Sequence, residues 1–317
     1  MKHFIKVFVI AILCFSLMLG AAVYTYVKFF NPSDENYSVV EDPLWVEKIE
    51  EDEETEEEMT DLEKAISESK RINILLVGLE DKRSDTIMLG SFDKKSGDLN
   101  VLSIPRDTYF YRSGYDSAEE KKINAIYSSS GIKGLMKAVE NILGIPVHNY
   151  ITVDYEGVEK VVDTIGGVEV EVPFHMKYED PYDNPPLVID IPKGNQVLNG
   201  EESLQYLRYR HNNDMTSGYK DGDIGRIKAQ QEFVKSAVKK SISFKLPVVV
   251  KEVYSHIKTD LSLADMLLLA TDAVNFSIDK METEILPGRA KIMENLSFYI
   301  HDPSQVEEYV EKLYEIE

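Results

Sequence analysis

Cysteine and positive charge are scarce in this sequence, and each shortage argues against a class of function. Cys14 is the single cysteine among 317 residues, so the chain cannot form an intramolecular disulfide or a thiolate metal cluster. Its position inside an apolar run also argues against a catalytic thiol. Lysine and arginine number 35 against 56 aspartate and glutamate residues, which gives a formal net charge of -21. Such a surface repels a nucleic-acid backbone, so DNA and RNA binding are set aside.

Familiar catalytic signatures are missing as well. The sequence contains no G-x-S-x-G nucleophile elbow, no Walker-type lysine loop and no H-E-x-x-H zinc helix. The "SSSG" stretch at residues 128–131 lacks the turn context of a nucleophilic serine and is more typical of a helix start. His148, His175 and His211 have no metal-ligand spacing, which indicates structural or solvent-facing roles. With 43% hydrophobic residues the chain still has ample material for a packed core.

The longest apolar run lies at the N-terminus. Lys2 and Lys6 precede "VFVIAILCFSLMLGAAVYTYV", which has about the 20 uncharged residues that a helix needs to cross a hydrocarbon core. The positive flank favours a cytoplasmic N-terminus and an exported remainder. A cleaved signal peptide is the alternative, because small residues occur at 20–22, but the run is longer than a usual signal peptide core. Residues 1–28 are therefore predicted to be a cytoplasmic tip and a single membrane anchor, with the rest of the chain outside the cell.

Residues 29–70 have the composition of a tether. They include "EKIEEDEETEEEMTDLEK", a block of like charge that repels itself and cannot bury a core. The stretch is predicted to be extended, or at most a solvated helix. Its role would be to hold a folded domain away from an anionic surface.

From Arg71 onward the pattern is that of a folded domain. "INILLVGL", "DTIMLGSF" and "LNVLSIP" have strand length, "DKKSGD" carries a glycine where a hairpin needs it, and helical patterns follow. Because strands and helices interleave, the sequence predicts a layered α/β/α fold with a central mixed sheet over residues 71–244. Within it, residues 174–198 are predicted to be a long loop broken by the short strand "LVIDI".

Residues 245–317 are predicted to add helices and strands that pack on this domain or complete it. The expected elements are a strand pair near "TEILPG" and "LSFYI", and a last helix that is entered at Asp302 and Pro303.

Two clusters of charged residues carry chemistry. "VGLEDKRSDT" places Glu80, Asp81 and Asp85 around Arg83 directly after a buried strand. Carboxylates grouped at a strand end can hold a hard cation that bridges to a phosphate, although an ordinary polar turn fits the same spacing. Arg106 of "SIPRDTYF" also follows a strand and, taken alone, would be expected only to form a surface ion pair.

The second cluster is "LRYRHNNDMTSGYKDGDIGRIKAQQ" at residues 207–231. If "LRYR" is extended, Arg208 and Arg210 leave on the same side. Arg226 and Gln230 lie four residues apart near the start of a predicted helix, and therefore share one face. Arginine forks and a helix N-terminus together suit a pyrophosphate. Pairing of the arginines with aspartates of the same loop fits the spacing equally well.

Taken together, these blocks resemble the LytR-CpsA-Psr family of membrane-anchored cell-wall enzymes. The similarity covers about residues 72–240 and is carried by "NILLVGLEDKRSDTIMLGSFD", "VLSIPRDTYF", "KINAIYSSSGIKGLMKAVENILGIPVHNYITVDYEGVEKVVDTIGGVEVEVP" and "LNGEESLQYLRYRHNN", followed by "GDIGRIKAQQ". The resemblance implies a phosphotransferase that acts outside the membrane. Such an enzyme moves a teichoic-acid or capsule type glycopolymer from a polyprenyl-pyrophosphate carrier to a peptidoglycan hydroxyl, and forms a phosphodiester.

The resemblance also implies roles for individual residues. The metal carboxylates, for Mg²⁺ or Mn²⁺, fall on Asp85 and on Glu80, with Asp81 as the alternative to Glu80 because the family usually has Asp there. The catalytic residues would be Asp85, Arg106 and Asp107, where either aspartate could be the general base. The pyrophosphate-binding residues fall on Arg83, Arg106, Lys122, Arg208, Arg210, Arg226 and Gln230, with Asn124 in the same block as Lys122.

Two points stay open at the level of sequence. The loop between Arg210 and Arg226 is longer than in typical members, so Arg226 reaches the site only if that loop folds back. A polyprenyl-pyrophosphate hydrolase and a non-catalytic module that binds carrier lipid or wall polymer would need the same phosphate-binding residues.

Overall fold

The computed structural model describes residues 59–183, 186–243, 246–272, 276 and 278–316. The predicted anchor and most of the predicted tether lie outside these residues. Within the described part of the chain, no helix has both the length and the apolar character needed to cross a membrane. Residues from Glu58 to Glu317 group into one compact unit.

Strands and helices alternate along the described chain. The strands are β1 (Arg71–Glu80), β2 (Arg83–Asp93), β3 (Leu99–Ser103), β4 (Asn149–Val153), β5 (Val168–Val172), β6 (Met176–Asp180), β7 (Leu187–Ile191), β8 (Gly194–Leu198), β9 (Lys258–Thr259), β10 (Met281–Ile285), β11 (Gly288–Met293) and β12 (Leu296–His301). The α-helices are α1 (Asp61–Glu68), α2 (Ile126–Leu143), α3 (Tyr155–Thr164), α4 (Gly200–Arg208), α5 (Asp223–Ser243), α6 (Leu246–Val253), α7 (Leu263–Asp272) and α8 (Pro303–Leu313).

Six strands form the central sheet, in the order β10-β3-β2-β1-β4-β9. The β1–β2 and β2–β3 pairs are antiparallel, as the short turns between these strands require. The β1–β4 and β10–β3 pairs are parallel, because helices cross over between their strands. The sheet is therefore mixed, as predicted.

Hydrophobic side chains cover both faces of this sheet. On one face Leu75 and Val77 of β1 pack with Leu135 of α2 and Val310 of α8. On the other face Met88 of β2 packs against α5. Alternate residues of one strand face opposite sides, so the apolar runs that marked these strands in the sequence fill both layers at once.

The segment after residue 245 contributes to the central sheet and to the core. The strand in "TEILPG", β10, pairs with β3, whereas "LSFYI" in β12 pairs with β11. The prediction that those two segments pair with each other is therefore wrong, because an edge of the central sheet was open to β10. The last helix begins at Pro303 with Asp302 as its N-cap, as predicted.

The predicted long loop at residues 174–198 is mostly strand. β6 and β7 form one hairpin, and β8 pairs with β5. The prolines misled the prediction, because Pro181 and Pro192 lie between strands and interrupt none of them. This hairpin matters for function, because β6 and β7 form one wall of the cleft described below.

Candidate active site

The β1–β2 hairpin positions the first two acidic groups. Glu80 is the last residue of β1, and Asp85 lies near the start of β2. The pairing runs from Gly78 opposite Thr86 to Leu79 opposite Ser84, so the ladder skips Asp85. Such a β-bulge re-aims a side chain and is common beside functional sites. It places the Asp85 carboxyl next to that of Glu80 in the same cleft, close enough for each to shift the pKa of the other.

Arg106 follows β3 and approaches Asp85 from the neighbouring strand. Its Nη1 lies 2.5 Å from Oδ1 of Asp85, and only 19% of the Asp85 side chain is exposed. The backbone carbonyl of Arg106 accepts a hydrogen bond from the N–H of Asn124 at 3.2 Å. Asn124 is buried. The "KIN" block thus supports the Arg106 backbone from behind.

Arg208 ends helix α4, so the predicted extended "LRYR" begins only at Tyr209. The Arg208 Nη2 lies 3.1 Å from Glu80 and 2.8 Å from Asp183. Its guanidinium also stacks over the ring of Tyr155, with 4.7 Å between Cζ and the ring centroid. Arg208, at the end of α4, therefore contacts both the end of β1 and the start of α3.

The long loop between Arg210 and Arg226 folds back. The ring of Tyr209 is buried and its hydroxyl donates to Asn212 at 2.6 Å, while His211 bridges Gly218. Gly218 is required there, because a Cβ would lie 2.8 Å from the carbonyl oxygen of Arg210. The two ends of the loop thereby lie close together, and the start of helix α5 lies at the cleft.

Helix α5 brings Arg226 and Gln230 to the same place. Only 8% of the Arg226 side chain is exposed, and its Nη2 lies 2.7 Å from Asp223. Gln230 Nε2 donates to the Leu207 carbonyl at 3.2 Å, which ties α5 to the end of α4. Arg210 is more exposed and lies 3.8 Å from Asp223.

These groups surround one cleft of about 290 Å³. Its polar lining includes Glu80, Asp85, Arg106, Tyr155, Asp180, Arg208, Arg210, Arg226 and Gln230. Seven residues singled out in the sequence thus come together from β1, β2, the end of β3, α4 and α5. A larger groove of about 1030 Å³ lies across α5, between that helix and the β5–β8 ribbon. It is a separate groove, because its lining shares none of these residues.

Four other sequence candidates lie outside this lining. Asp81 and Arg83 are exposed at the β1–β2 turn, where Asp81 has a positive φ of 52°, and they line an outer surface that meets the cleft only at Glu80. Lys122 is buried and pairs with Asp107 at 3.2 Å. Lys122 therefore holds Asp107 in the loop after Arg106, and neither residue belongs to the cleft lining.

The charges in the cleft shift one another's protonation. Burial, then the neighbouring Asp85, raises the pKa of Glu80. Burial also pulls the pKa of Asp85 upward, but the hydrogen bond from Glu80 and the charge of Arg106 outweigh it and leave that pKa below its ordinary value. Burial lowers the pKa of Arg226. The pair of carboxyls therefore favours holding a proton between them, on Glu80.

A shared proton between two carboxyls marks a place that suits a cation. Glu80 and Asp85 offer oxygen atoms of the kind that Mg²⁺ or Mn²⁺ prefers. The described residues contain no cluster of three or more His, Cys, Asp or Glu side chains fit for a metal ion. The two carboxylates fit a cation that takes its remaining ligands from water and a substrate phosphate. Asp81 does not lie with them.

The cleft also needs acceptors for its arginines. Among the described residues, the buried Nε atoms of Arg106 and Arg226 have no hydrogen-bond partner. Donors of this kind match the oxygens of a phosphate group. The two unpaired donors therefore favour an anionic ligand for this cleft.

Sequence reasoning missed Tyr155 and Asp183, which contact Arg208 of this site. Tyr155 follows β4, the parallel neighbour of β1, so its position beside Glu80 could be predicted only from that pairing. Asp183 comes from the β6–β7 hairpin, which the sequence did not reveal. Asp223 was predicted as a helix N-cap and, with other aspartates of the loop, as an ion-pair partner of the arginines, and it lies 2.7 Å from Arg226 and 3.8 Å from Arg210.

The layered mixed sheet and this arginine and carboxylate cleft define an α/β protein whose chemistry suits phosphate groups. The model of the LytR_cpsA_psr family matches residues 40–315. The chain therefore belongs to the LytR_cpsA_psr family.

Relatives within the family are similar along most of their length. TagV of Bacillus subtilis (strain 168), named polyisoprenyl-teichoic acid--peptidoglycan teichoic acid transferase, is 27% identical over 314 residues, which cover 96% of this chain and 75% of TagV. A TagU protein of Bacillus cereus with the same transferase name is 26% identical, covering 94% of this chain and 92% of TagU. The crystal structure of B. subtilis TagV superposes with a TM-score of 0.65 at 28% identity, over 79% of this chain and 99% of that one.

Proposed function

We propose that this protein is a phosphotransferase that attaches an anionic glycopolymer to the cell wall. Its substrate would be a glycopolymer linked to a polyprenyl pyrophosphate, and its acceptor a sugar hydroxyl of peptidoglycan. The observation that carries the proposal is the convergence of four arginines on the Glu80 and Asp85 pair in one cleft. The relatives named as teichoic acid transferases support the substrate class.

The cleft residues divide the work of binding and orientation. Arg208 and Arg226 would bind the oxygens of the pyrophosphate, and Arg106 would neutralise charge that grows on the leaving phosphate. Gln230 donates a hydrogen bond to the Leu207 carbonyl and so fixes α5 against the end of α4. Arg226 lies one helical turn away on the same face of α5, so this bond would also fix its position. This arrangement would align the attacked phosphorus with the acceptor hydroxyl.

The reaction itself forms one bond and breaks one bond. The acceptor oxygen forms a bond to the phosphorus that carries the glycan, and the bridging P–O bond of the pyrophosphate breaks. Polyprenyl phosphate leaves with that electron pair. The proton of the acceptor hydroxyl would pass to Asp85, the ionised member of the carboxyl pair, because Asp107 is engaged by Lys122 outside the cleft lining. A bound Mg²⁺ or Mn²⁺ would supply further charge neutralisation on the phosphate oxygens.

Location and anchoring are part of the same proposal. The substrate and acceptor named here lie outside the cell, which agrees with the predicted N-terminal anchor and exported domain. The acidic stretch before α1 would then serve as the tether.

Incubation of the purified full chain with carrier-linked glycan and peptidoglycan fragments tests the proposal. We expect a product that joins glycan to peptidoglycan through a phosphodiester, detected by mass spectrometry, and its loss in Asp85→Ala and Arg106→Ala. Release of free glycan phosphate without coupled product would instead indicate a hydrolase. Wall-polymer attachment in cells that is unchanged by both substitutions, at equal protein levels, would indicate a binding module.

A further inference from the structure

Tyr155 occupies a position that the fold fixes closely. It is the first residue of α3, directly after Asp154, whose side chain accepts a hydrogen bond from the Gly157 N–H at 2.9 Å. The preceding strand β4 runs parallel to β1, with Val153 opposite Gly78. The carboxyl ends of the two strands therefore lie side by side, and Tyr155 comes to lie beside Glu80.

Close packing behind α3 keeps this helix start in place. A Cβ at Gly157 would collide with the backbone carbonyl of His256 and with the side chain of Val153. Only glycine lets the first turn of α3 approach that segment so closely. The start of α3 is thus held from behind as well as capped in front.

From this fixed position Tyr155 makes two contacts with cleft groups. Its hydroxyl lies beside the Glu80 carboxyl in the lining of the cleft, within reach of donating to it. Its ring lies under the Arg208 guanidinium, 4.7 Å from Cζ to the ring centroid. One side chain therefore contacts both a carboxylate proposed to hold a cation and an arginine proposed to hold phosphate.

Each contact has a physical consequence for the site. A hydroxyl that donates to Glu80 occupies one lone pair of the carboxylate and leaves its other lone pairs directed elsewhere. A ring under Arg208 restricts a long and otherwise flexible side chain and attracts its positive charge. Both effects organise the site before a ligand arrives, which lowers the cost of binding.

We propose that Tyr155 is a positioning residue of the cleft. Its hydroxyl orients Glu80 toward a divalent cation, and its ring holds Arg208 toward the pyrophosphate. This inference rests on the proposed function. It assigns one role to the hydroxyl of Tyr155 and another to its ring.

Two substitutions separate those roles in the full chain. Tyr155→Phe removes the hydroxyl and keeps the ring, whereas Tyr155→Leu removes both. The matched control is Tyr111→Phe, which removes the hydroxyl of an exposed tyrosine outside the cleft lining. Calorimetry would measure two affinities for each protein: that of Mn²⁺ alone, and that of a short polyprenyl pyrophosphate without metal. Thermal unfolding would confirm that each variant is folded.

The two variants should differ in a defined way. We expect Tyr155→Phe to weaken Mn²⁺ binding about tenfold, as loss of a hydrogen bond to a metal ligand typically does, and to leave metal-free pyrophosphate binding unchanged. Tyr155→Leu should weaken pyrophosphate binding as well, by about fivefold, because the cation–π contact is lost. Tyr111→Phe should match the wild type in both measurements.

Several results would overturn the inference. Mn²⁺ affinity in Tyr155→Phe equal to the wild type rejects the hydroxyl role, even if Tyr155→Leu fails to fold. Equal pyrophosphate binding by Tyr155→Phe and a folded Tyr155→Leu rejects the ring role. A wild-type chain that binds neither probe would overturn the proposed function itself, and this inference with it.

Discussion

The cleft and the core between the sheet and helix α2 lie on the same strands but are built from opposite materials. The core side of β1 presents Leu75 and Val77, which are buried against Leu135 of α2. At the end of the same strand Glu80 lies among arginines and is 40% exposed at its side chain. Within a few residues of one strand, the environment thus changes from apolar packing to partly buried charge.

This difference separates the sources of stability and of function. Burial of apolar side chains stabilises the fold, by about 25 cal/mol for each Å² removed from water. Charges that are partly buried lose hydration, and their mutual attraction often only offsets that loss. We therefore expect substitutions in the cleft to change activity far more than stability, and substitutions in the core to do the reverse.

The largest effect is expected from Asp85→Asn in the cleft. The change keeps the shape but removes one carboxylate of the pair and the partner of Arg106. Transfer activity, as kcat/KM, should fall on the order of 1,000-fold, which is about 4 kcal/mol of transition-state stabilisation. The thermal midpoint should change little.

A matched control for this change is Asp93→Asn, at the other end of the same strand. Asp93 accepts a hydrogen bond from the Lys95 N–H, which an asparagine oxygen can still accept. Activity that falls equally in both variants would contradict the division between cleft and core.

The next largest effect is expected from Leu135→Ala in the core. Leu135 is 0% exposed, and its truncation should lower the free energy of unfolding by about 3 kcal/mol through lost burial and a cavity. Denaturant unfolding measures this change, and kcat per folded molecule should stay at the wild-type value.

Lys137→Ala is the control on the same helix, because Lys137 is exposed. It should change the free energy of unfolding by less than about 0.5 kcal/mol. A large loss of kcat in Leu135→Ala at full folding would show that the core side also shapes the cleft.

A smaller effect is expected from Asp183→Asn, which removes a carboxylate that competes for Arg208. The two groups lie 2.8 Å apart, so an incoming phosphate must displace Asp183 from that donor. We expect a polyprenyl pyrophosphate to bind about fivefold more tightly, corresponding to about 1 kcal/mol. Calorimetry measures it, with Asp190→Asn on β7 as the control. Weaker binding would mean that Asp183 orients Arg208 instead of competing for it.

The smallest effect concerns pH and His301, outside the cleft lining. Burial lowers the pKa of His301 in the folded protein, whereas an unfolded histidine titrates near about 6.5. The unfolded chain therefore binds the proton first, and stability falls as pH drops below that value through the folded pKa. The thermal midpoint should decline less between pH 7.5 and 5.5 in His301→Gln than in the wild type. An identical decline in both would exclude His301 as the source.

The sequence allowed parts of this fold to be predicted because their signals are local. The apolar runs of β1 to β3 and the cap at Asp302 and Pro303 each depend on neighbouring residues alone. The partner of β10 depends on which sheet edge is free, which is a property of the whole fold. The β6–β7 hairpin was obscured because prolines that separate strands look the same in sequence as prolines in a loop.

The site divides in the same way. Spacing brought Asp85, Arg208 and Arg226 to attention, but it could not tell a phosphate cleft from a loop held by ion pairs, and the family resemblance supplied that choice. Tyr155 and Asp183 reach the cleft from segments far away in the chain. Their place follows from strand pairing that no short motif encodes.

The bulge at Asp85 sets the direction of that carboxylate within the strand itself. Side chains alternate between the two faces of a regular strand, so a register shift of one residue turns each of them to the opposite face. Here the skipped residue introduces such a shift. The two acidic groups of the cleft are therefore placed by different devices, Glu80 by the turn that follows it and Asp85 by the bulge. Loss of the bulge itself would turn the carboxylate away even with every residue retained.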